Sequence, residues 1–292
     1  MRNGFLFTLT TMLVFVGLLF MLNDVASYGQ SLRSSATSSL SAYVITQAWR
    51  DVSSDITLVV GVNVSKDGTT ADFMDSLPAA TDLSTFIEGY GKFIESYYSK
   101  PSLQVVFLDS VDNQLSLSSI SPLLSIIPFN IQYGYPDFGK NELQVLSPVG
   151  NLSALSGVSV DIHVTDEEMN ESNFQWTPYQ ECQQNKPCLN VNVTVRGNSS
   201  SWSSPQQQFD ATRQSQITIH FGNDSSNHWV KVLVGESGNS DPQNVLDVKL
   251  NNVRAATDTK VLLNSPDFLI NYLSKLRVSE PQLFTNKTDW LQ

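Results

Sequence analysis

Hydrophobic positions divide the chain into stretches of different period. From Gly4 to Leu22 (GFLFTLTTMLVFVGLLFML) runs an uncharged segment of 19 residues. As a helix rising 1.5 Å per residue it would span about 28 Å, close to the hydrocarbon thickness of a bilayer. Asp24 follows, and apolar residues then recur at helical spacing: Leu32, Ala36, Leu40, Tyr43, Ala48, Val52 and Ile56, separated by Ser, Thr, Gln, Arg and Asp. No Pro falls among them, and no Gly after Gly29. The pattern predicts a long helix over 1–57, apolar first and amphipathic afterwards.

Beyond that helix the period shortens to two. Thr57 to Ser65 reads as a strand that turns at Lys66-Asp67-Gly68 into Thr69 to Met74, because Asp-Gly between β-rich runs is a hairpin signal. Asp82 to Tyr98 returns to helical spacing, with Leu83, Phe86, Ile87, Tyr90, Phe93, Ile94 and Tyr97 on one face, Asp82 as N-cap and Lys100-Pro101 beyond its end. That aromatic face is read as core packing. Leu103 to Asp109 and Gln114 to Ser118 are two further strands, so 58–128 is expected to form a small α+β module. Ser119 to Pro128 is apolar but broken by Pro122 and Pro128, which suggests a crossover.

From Phe129 the pattern is nearly all strand, with candidates at 129–135, 142–147, 157–164, 188–196, 214–221, 229–235, 244–250 and 259–263. Leu189, Val191, Val193 and Val195 alternate with Asn190, Asn192, Thr194 and Arg196, which marks one buried and one wet face. Short strands separated by turn clusters predict an antiparallel β-sandwich over 129–292. Pro266 to Leu276 fits a helix or an edge strand equally well. The expected fold class is mainly β with a long N-terminal stalk helix, a small α+β module and a C-terminal sandwich.

Charge narrows the partners. The chain has 17 Lys and Arg against 28 Asp and Glu, a net charge of -11, with no basic patch. Nucleic acid is excluded as a partner, since no cluster of cations is present to release phosphate counterions. Cys182 and Cys188 are the only two cysteines. Their spacing does not suit a redox motif, and the three histidines are too distant in sequence to complete a metal site with them. A disulfide closing a small loop fits best.

The N-terminal segment admits three readings. A cleaved secretory signal would use Val25-Ala26-Ser27 as its site, although its apolar run is long for that purpose. A plain signal anchor would leave residues 4–22 in the membrane. With Arg2 before the segment and Arg33 the next base after it, the N-terminus would lie inside and the remainder outside. The third reading comes from Arg2-Asn3-Gly4-Phe5-Leu6-Phe7-Thr8-Leu9, which resembles the type IV prepilin signal: a short basic leader, Gly at the cleavage point, then Phe and a hydrophobic helix. Leu9 stands where bacterial pilins carry Glu. Archaeal members often lack that Glu, so the archaeal branch is the nearer match. The resemblance implies cleavage between Gly4 and Phe5, self-association through the helix, and a β-rich head displayed at the cell surface or on a filament.

Sequons stand at Asn63, Asn151, Asn170, Asn192, Asn198, Asn223 and Asn286, all outside the apolar segment, and these are the candidate N-glycosylation sites. No hydrolase elbow, metalloprotease helix, phosphate loop or dinucleotide fingerprint is present in the sequence. Asp161, His163 and Asp166 are read as the solvent face of a strand, and Asn223-Asp224 lacks any EF-hand spacing. Trp176, Trp202 and Trp229 offer sugar-stacking surfaces or loop packing. The expectation is a single-pass, membrane-anchored extracellular structural protein or filament subunit with no catalytic site and no cofactor. The alternative is a tethered, monomeric sandwich that binds a glycan or a surface protein.

Overall fold

The computed structural model describes residues 2–60, 62–77, 89–94, 96–97, 103–108, 112, 114–115, 123–134, 142–147, 149–165, 167–170, 174–184, 186–204, 207–222, 227–235, 243–272, 275–280 and 285–290. A single helix, α1 (Arg2–Val60), opens the chain. No proline interrupts it, and its hydroxyls close onto the preceding turn. Ser27 Oγ donates to Asp24 O at 3.1 Å, Ser34 Oγ to Ser31 O at 3.1 Å, and Thr37 Oγ1 to Arg33 O at 2.7 Å. Serines and threonines thereby stay helical instead of pulling the backbone into turns. The helix runs four residues into the predicted first strand, through Thr57 to Val60. β-Branched residues lose only a few tenths of a kcal/mol in a helix, and the docked turns just before them propagate it.

The remainder is mainly β, with eighteen strands among the described residues. They are β1 (Asn63–Asp67), β2 (Thr70–Leu77), β3 (Gln104–Leu108), β4 (Gln114–Leu115), β5 (Leu123–Ile127), β6 (Ile131–Gly134), β7 (Glu142–Ser147), β8 (Leu155–Thr165), β9 (Cys188–Arg196), β10 (Ser201–Ser203), β11 (Gln207–Asp210), β12 (Ser215–His220), β13 (Trp229–Val234), β14 (Gln243–Asn251), β15 (Arg254–Leu263), β16 (Leu269–Tyr272), β17 (Lys275–Glu280) and β18 (Thr285–Trp290). The first sheet runs β1-β2-β15-β8-β9, with β10 and β11 both on the far edge of β9. The second runs β12-β13-β14-β7-β6-β5-β16, and a smaller one runs β18-β17-β3-β4. Among the described strands, pairing is antiparallel except between β8 and β9, which run parallel, unlike the all-antiparallel arrangement expected. A parallel neighbour needs a long return connection, and residues 166–187 supply it.

Strand pairing crosses the expected 128/129 boundary. β2 pairs with β15, β3 with β17, and β5 with β16. The stretch 58–128 thus distributes its strands over all three sheets. β5 occupies the predicted crossover: Pro128 lies in the turn after it and does not break it. The last apolar stretch yields the edge strand β16. Of the predicted helix 82–98, residues 89–94 and 96–97 are helical; Asp82, Leu83, Phe86 and Ile87 lie outside the described residues. Core packing holds there for Ile94, whereas Phe93 and Tyr97 are exposed, their rings 5.3 Å apart.

The first two sheets meet at Tyr133. Its ring stacks on Phe73 at 4.0 Å, and its hydroxyl donates to Asp75, which also accepts from Thr257. Asp75 sits on the buried phase of β2 with Ala71 and Phe73, and these two donors offset the burial of its polar side chain. The β1–β2 turn is Gly68-Thr69, with Gly68 at φ 55°, where a side chain would be strained.

The small sheet receives the helix. Ser41, Ile45, Ala48, Trp49 and Val52 are buried on it. The Trp49 indole donates to Leu276 O at 3.1 Å, and Lys287 Nζ lies 4.0 Å from the ring centroid. Trp49→Ala should lower the unfolding free energy by about 3–5 kcal/mol through the cavity it leaves, read from the denaturant midpoint. Trp49→Phe, which keeps most of the packing and loses the hydrogen bond, should cost about 1 kcal/mol. A Trp49→Ala protein with an unchanged midpoint would mean that the helix does not depend on this contact.

Candidate functional site

The long helix presents two faces. The predicted stripe assumed one continuous line from Leu32 to Ile56, but the step from Tyr43 to Ala48 is five residues. At 3.6 residues per turn, five residues rotate the stripe by about 140°. The helix therefore docks with 41, 45, 48, 49 and 52, while Val25, Leu32, Ala36, Leu40 and Tyr43 lie on roughly the opposite side and are exposed. Tyr43 is 67% exposed and Leu32 62%. Every described side chain from 12 to 40 is exposed, Phe15, Leu18, Leu19, Phe20, Met21 and Leu22 among them. The arm 2–40 thus extends about 58 Å from the docked segment. Among the described residues no helix is long and apolar enough to cross a membrane. The side chains at 2–11, 13 and 14, including those of the expected cleavage pair Gly4 and Phe5, lie outside them.

A second feature lies on the outward face of the first sheet. Here β2, β15, β8 and β9 run side by side, and their outward positions include Met74, Ala256, Asp258, Asp161, His163 and Arg196. Strand register sets Asp258 opposite Asp161 and Ala256 opposite His163. Ala256 is the small residue among larger neighbours, and a furrow of about 520 Å³ opens there, with Gly197 and Asn198 at its rim. Arg196 pairs with Asp161, and Lys260 Nζ reaches Asp258 at 3.3 Å and Asp72 at 3.9 Å. Burial, together with a hydrogen bond and the charge of Asp258, holds the Asp72 carboxyl above its ordinary range.

The candidate residues read from the sequence fall as follows. Cys182 and Cys188 form a disulfide with Cα atoms 5.5 Å apart, in the loop entering β9. Asn63, Asn170 and Asn198 are exposed and Asn192 is half-exposed on β9. Asn223 and the side chains of Asn151 and Asn286 lie outside the described residues, as do Asp166 and Asp224. Among the tryptophans, Trp176 donates to Ser204 Oγ at 3.2 Å and meets Phe209 edge-on, Trp202 meets Phe174 edge-on, and Trp229 lies under Lys231. Trp176 and Trp202 are partly buried against the core, and Trp229 is half-buried. Asp161 and His163 are on the wet face, as the alternation predicts.

Two polar groupings escaped the sequence reading. His228 Nδ1 lies 2.8 and 2.9 Å from the two Glu167 oxygens, tying the segment after β8 to the β12–β13 hairpin of the other sheet. Residues 61 apart leave no local signal for such a contact. On β14, Asp247 is only 5% exposed beside Glu142 and Lys249, whose Nζ is 3.4 Å from Asp247 and 2.8 Å from Glu142. An acid inside the apolar run of β14 was the available clue. Compared with family models, curated proteins and solved structures, the chain matches none.

Burial, reinforced by the Glu142 carboxylate, pushes the Asp247 carboxyl from 3.8 to about 7. The folded chain therefore holds this proton more tightly than the unfolded chain. The stability it contributes is complete below the unfolded value and is lost as pH rises through about 7. Asp247→Asn should flatten the stability profile across that interval and leave the variant on the order of 3 kcal/mol more stable than wild type above it. Urea midpoints taken across the interval check this, and parallel profiles for the two proteins would refute it.

Proposed function

We propose that this chain is a surface structural protein carried on its N-terminal helix, with a β-sandwich head held outside the membrane and the helix also packing on further copies of itself. The observation that carries the reading is the apolar arm. Each fully buried Leu, Val or Phe side chain gains about 1.5–3 kcal/mol over an exposed one, so a row of them left in water has to be covered by lipid or by other helices. The uncharged run from Gly4 to Leu22 suits lipid. The face from Val25 to Tyr43, rich in Ser and Ala between its apolar positions, suits close helix packing. The resemblance of residues 2–9 to a prepilin signal agrees with that division and adds processing at the Gly4–Phe5 bond. The docked segment leaves the head at one end of the helix, where it would clear the anchored part.

Mass spectrometry of the mature N-terminus tests the processing: a chain starting at Phe5 is expected, whereas one starting at Met1 or near Tyr28 would sink the pilin-like part of the reading. Leu32→Asp with Leu40→Asp tests the packing. Both residues are exposed, so the head should keep its denaturant midpoint within about 0.5 kcal/mol. Self-association of the full chain in detergent, followed by sedimentation velocity, should fall by at least tenfold, equivalent to about 1.4 kcal/mol. Unchanged sedimentation would remove the helix face as a contact.

A further inference from the structure

The furrow on the first sheet is unrelated to the helix, and its chemistry selects a ligand. Asp161 Oδ1 and Asp258 Oδ1 are buried and accept no hydrogen bond among the described residues, and the same holds for Asp72 Oδ1 beside them. An acceptor left in this state costs about 1–3 kcal/mol, and opposed like charges on paired strands add to that cost. What a ligand in the furrow can reach is the exposed part of the two carboxylates: the Asp161 side chain is 33% and the Asp258 side chain 37% exposed, and each Oδ2, paired with Arg196 or Lys260, keeps lone pairs for a further donor. The rim supplies the complementary set. His163 and Asn198 are exposed, and their side chains make no hydrogen bond among the described residues; the Arg196 side chain is 54% exposed, with donors beyond the one spent on Asp161. A fitting ligand therefore both donates and accepts.

Charge limits it further. Three carboxylates, Asp72, Asp161 and Asp258, face two cations, Arg196 and Lys260. Anionic ligands are opposed. A simple amine would satisfy the acids but leave Arg196, His163 and Asn198 without acceptors. Neighbouring hydroxyls on a ring, each both donor and acceptor, match the whole set. Met74 and Ala256 add an apolar strip against which the C–H face of such a ring can lie. The volume of about 520 Å³ falls within the range of small-ligand sites, about 300–1,000 Å³. We propose that this furrow binds a neutral saccharide through Asp161, Asp258, Arg196, His163 and Asn198, over the floor made by Ala256.

The test uses the full-length chain, made without glycosylation because Asn198 heads a sequon at the rim, and held in a sugar-free detergent, dodecylphosphocholine. Saturation-transfer NMR is run against glucose, galactose, mannose, N-acetylglucosamine, lactose and chitobiose, with spermidine and citrate as charged controls. At least one saccharide should show transfer, and Ala256→Trp, which fills the floor, should weaken it by at least tenfold. Arg196→Ala, at an exposed position, should weaken it similarly, with both variants keeping the wild-type melting temperature. Trp176→Phe should leave binding unchanged. No transfer to any saccharide at about 10 mM, where even millimolar affinity would register, overturns the proposal. So does saccharide binding that survives Ala256→Trp, or binding of spermidine in place of the saccharides. If either variant melts early, chemical-shift mapping on the wild type decides: shifts at Met74, Asp161 and Ala256 support the site, and shifts elsewhere refute it. None of these outcomes depends on how the N-terminal helix is processed or anchored.

Discussion

The contact of Trp49 with the small sheet joins the two parts of this protein. A helix of 59 residues rich in serine and threonine gains little from intrinsic propensity, and tertiary packing of one face is what usually holds such a helix. Among the described side chains, that packing covers the segment from Ser41 to Ser53. The indole supplies its largest side chain, its polar tip meets the Leu276 carbonyl, and Lys287 covers the ring. Because β17 and β18 come from the end of the chain and β17 pairs with β3, the N-terminal helix, residues 104–108 and the C-terminal hairpin depend on one another. The direction in which the arm leaves the body is set at this contact.

The first sheet does two jobs with one set of strands. The inward phase of β2 and β15 presents Phe73, Asp75 and Thr257 to Tyr133 across the core, and the outward phase of the same strands presents Met74, Ala256 and Asp258 to solvent. Period-two alternation separates them cleanly. The buried hydrogen bond from Thr257 to Asp75 joins β15 to β2, whose register sets Asp258 opposite Met74, and the separate β15–β8 register sets Asp258 opposite Asp161 and Ala256 opposite His163. The packed inner layer thus underlies an outer layer in which Asp161 and Asp258 each pair through one oxygen, with Arg196 and Lys260, and keep the other without a hydrogen bond among the described residues.

Much of the local structure was legible because it rests on short-range rules. β7 and β9 match the predicted strands residue for residue, and Leu189, Val191, Val193 and Val195 are the buried set that their alternation announced. A hairpin formed where Asp67-Gly68 signalled one, with its turn shifted to Gly68-Thr69, and the disulfide formed. Errors arose where a local cue had two meanings. Pro128 can break a strand or mark its end, and here it follows the end of β5. Thr57 to Val60 has strand-like composition and is helical because the turns before it are docked. The drift of the helical stripe at the five-residue step after Tyr43 was present in the numbering but passes unnoticed unless the angle is followed.

The sequence by itself determined the long N-terminal helix, its uncharged first third, the mainly β character of the rest and the wet and dry faces of its strands. All of these follow from the period of side chains along one piece of backbone. Tertiary structure alone decided which strands are neighbours, that β8 and β9 run parallel, which side of the helix meets the body, and that Asp161, Asp258, His163 and Arg196 surround Ala256. Those relations join residues tens to hundreds of positions apart. No periodicity encodes them, because they arise from the simultaneous burial of all the inward faces.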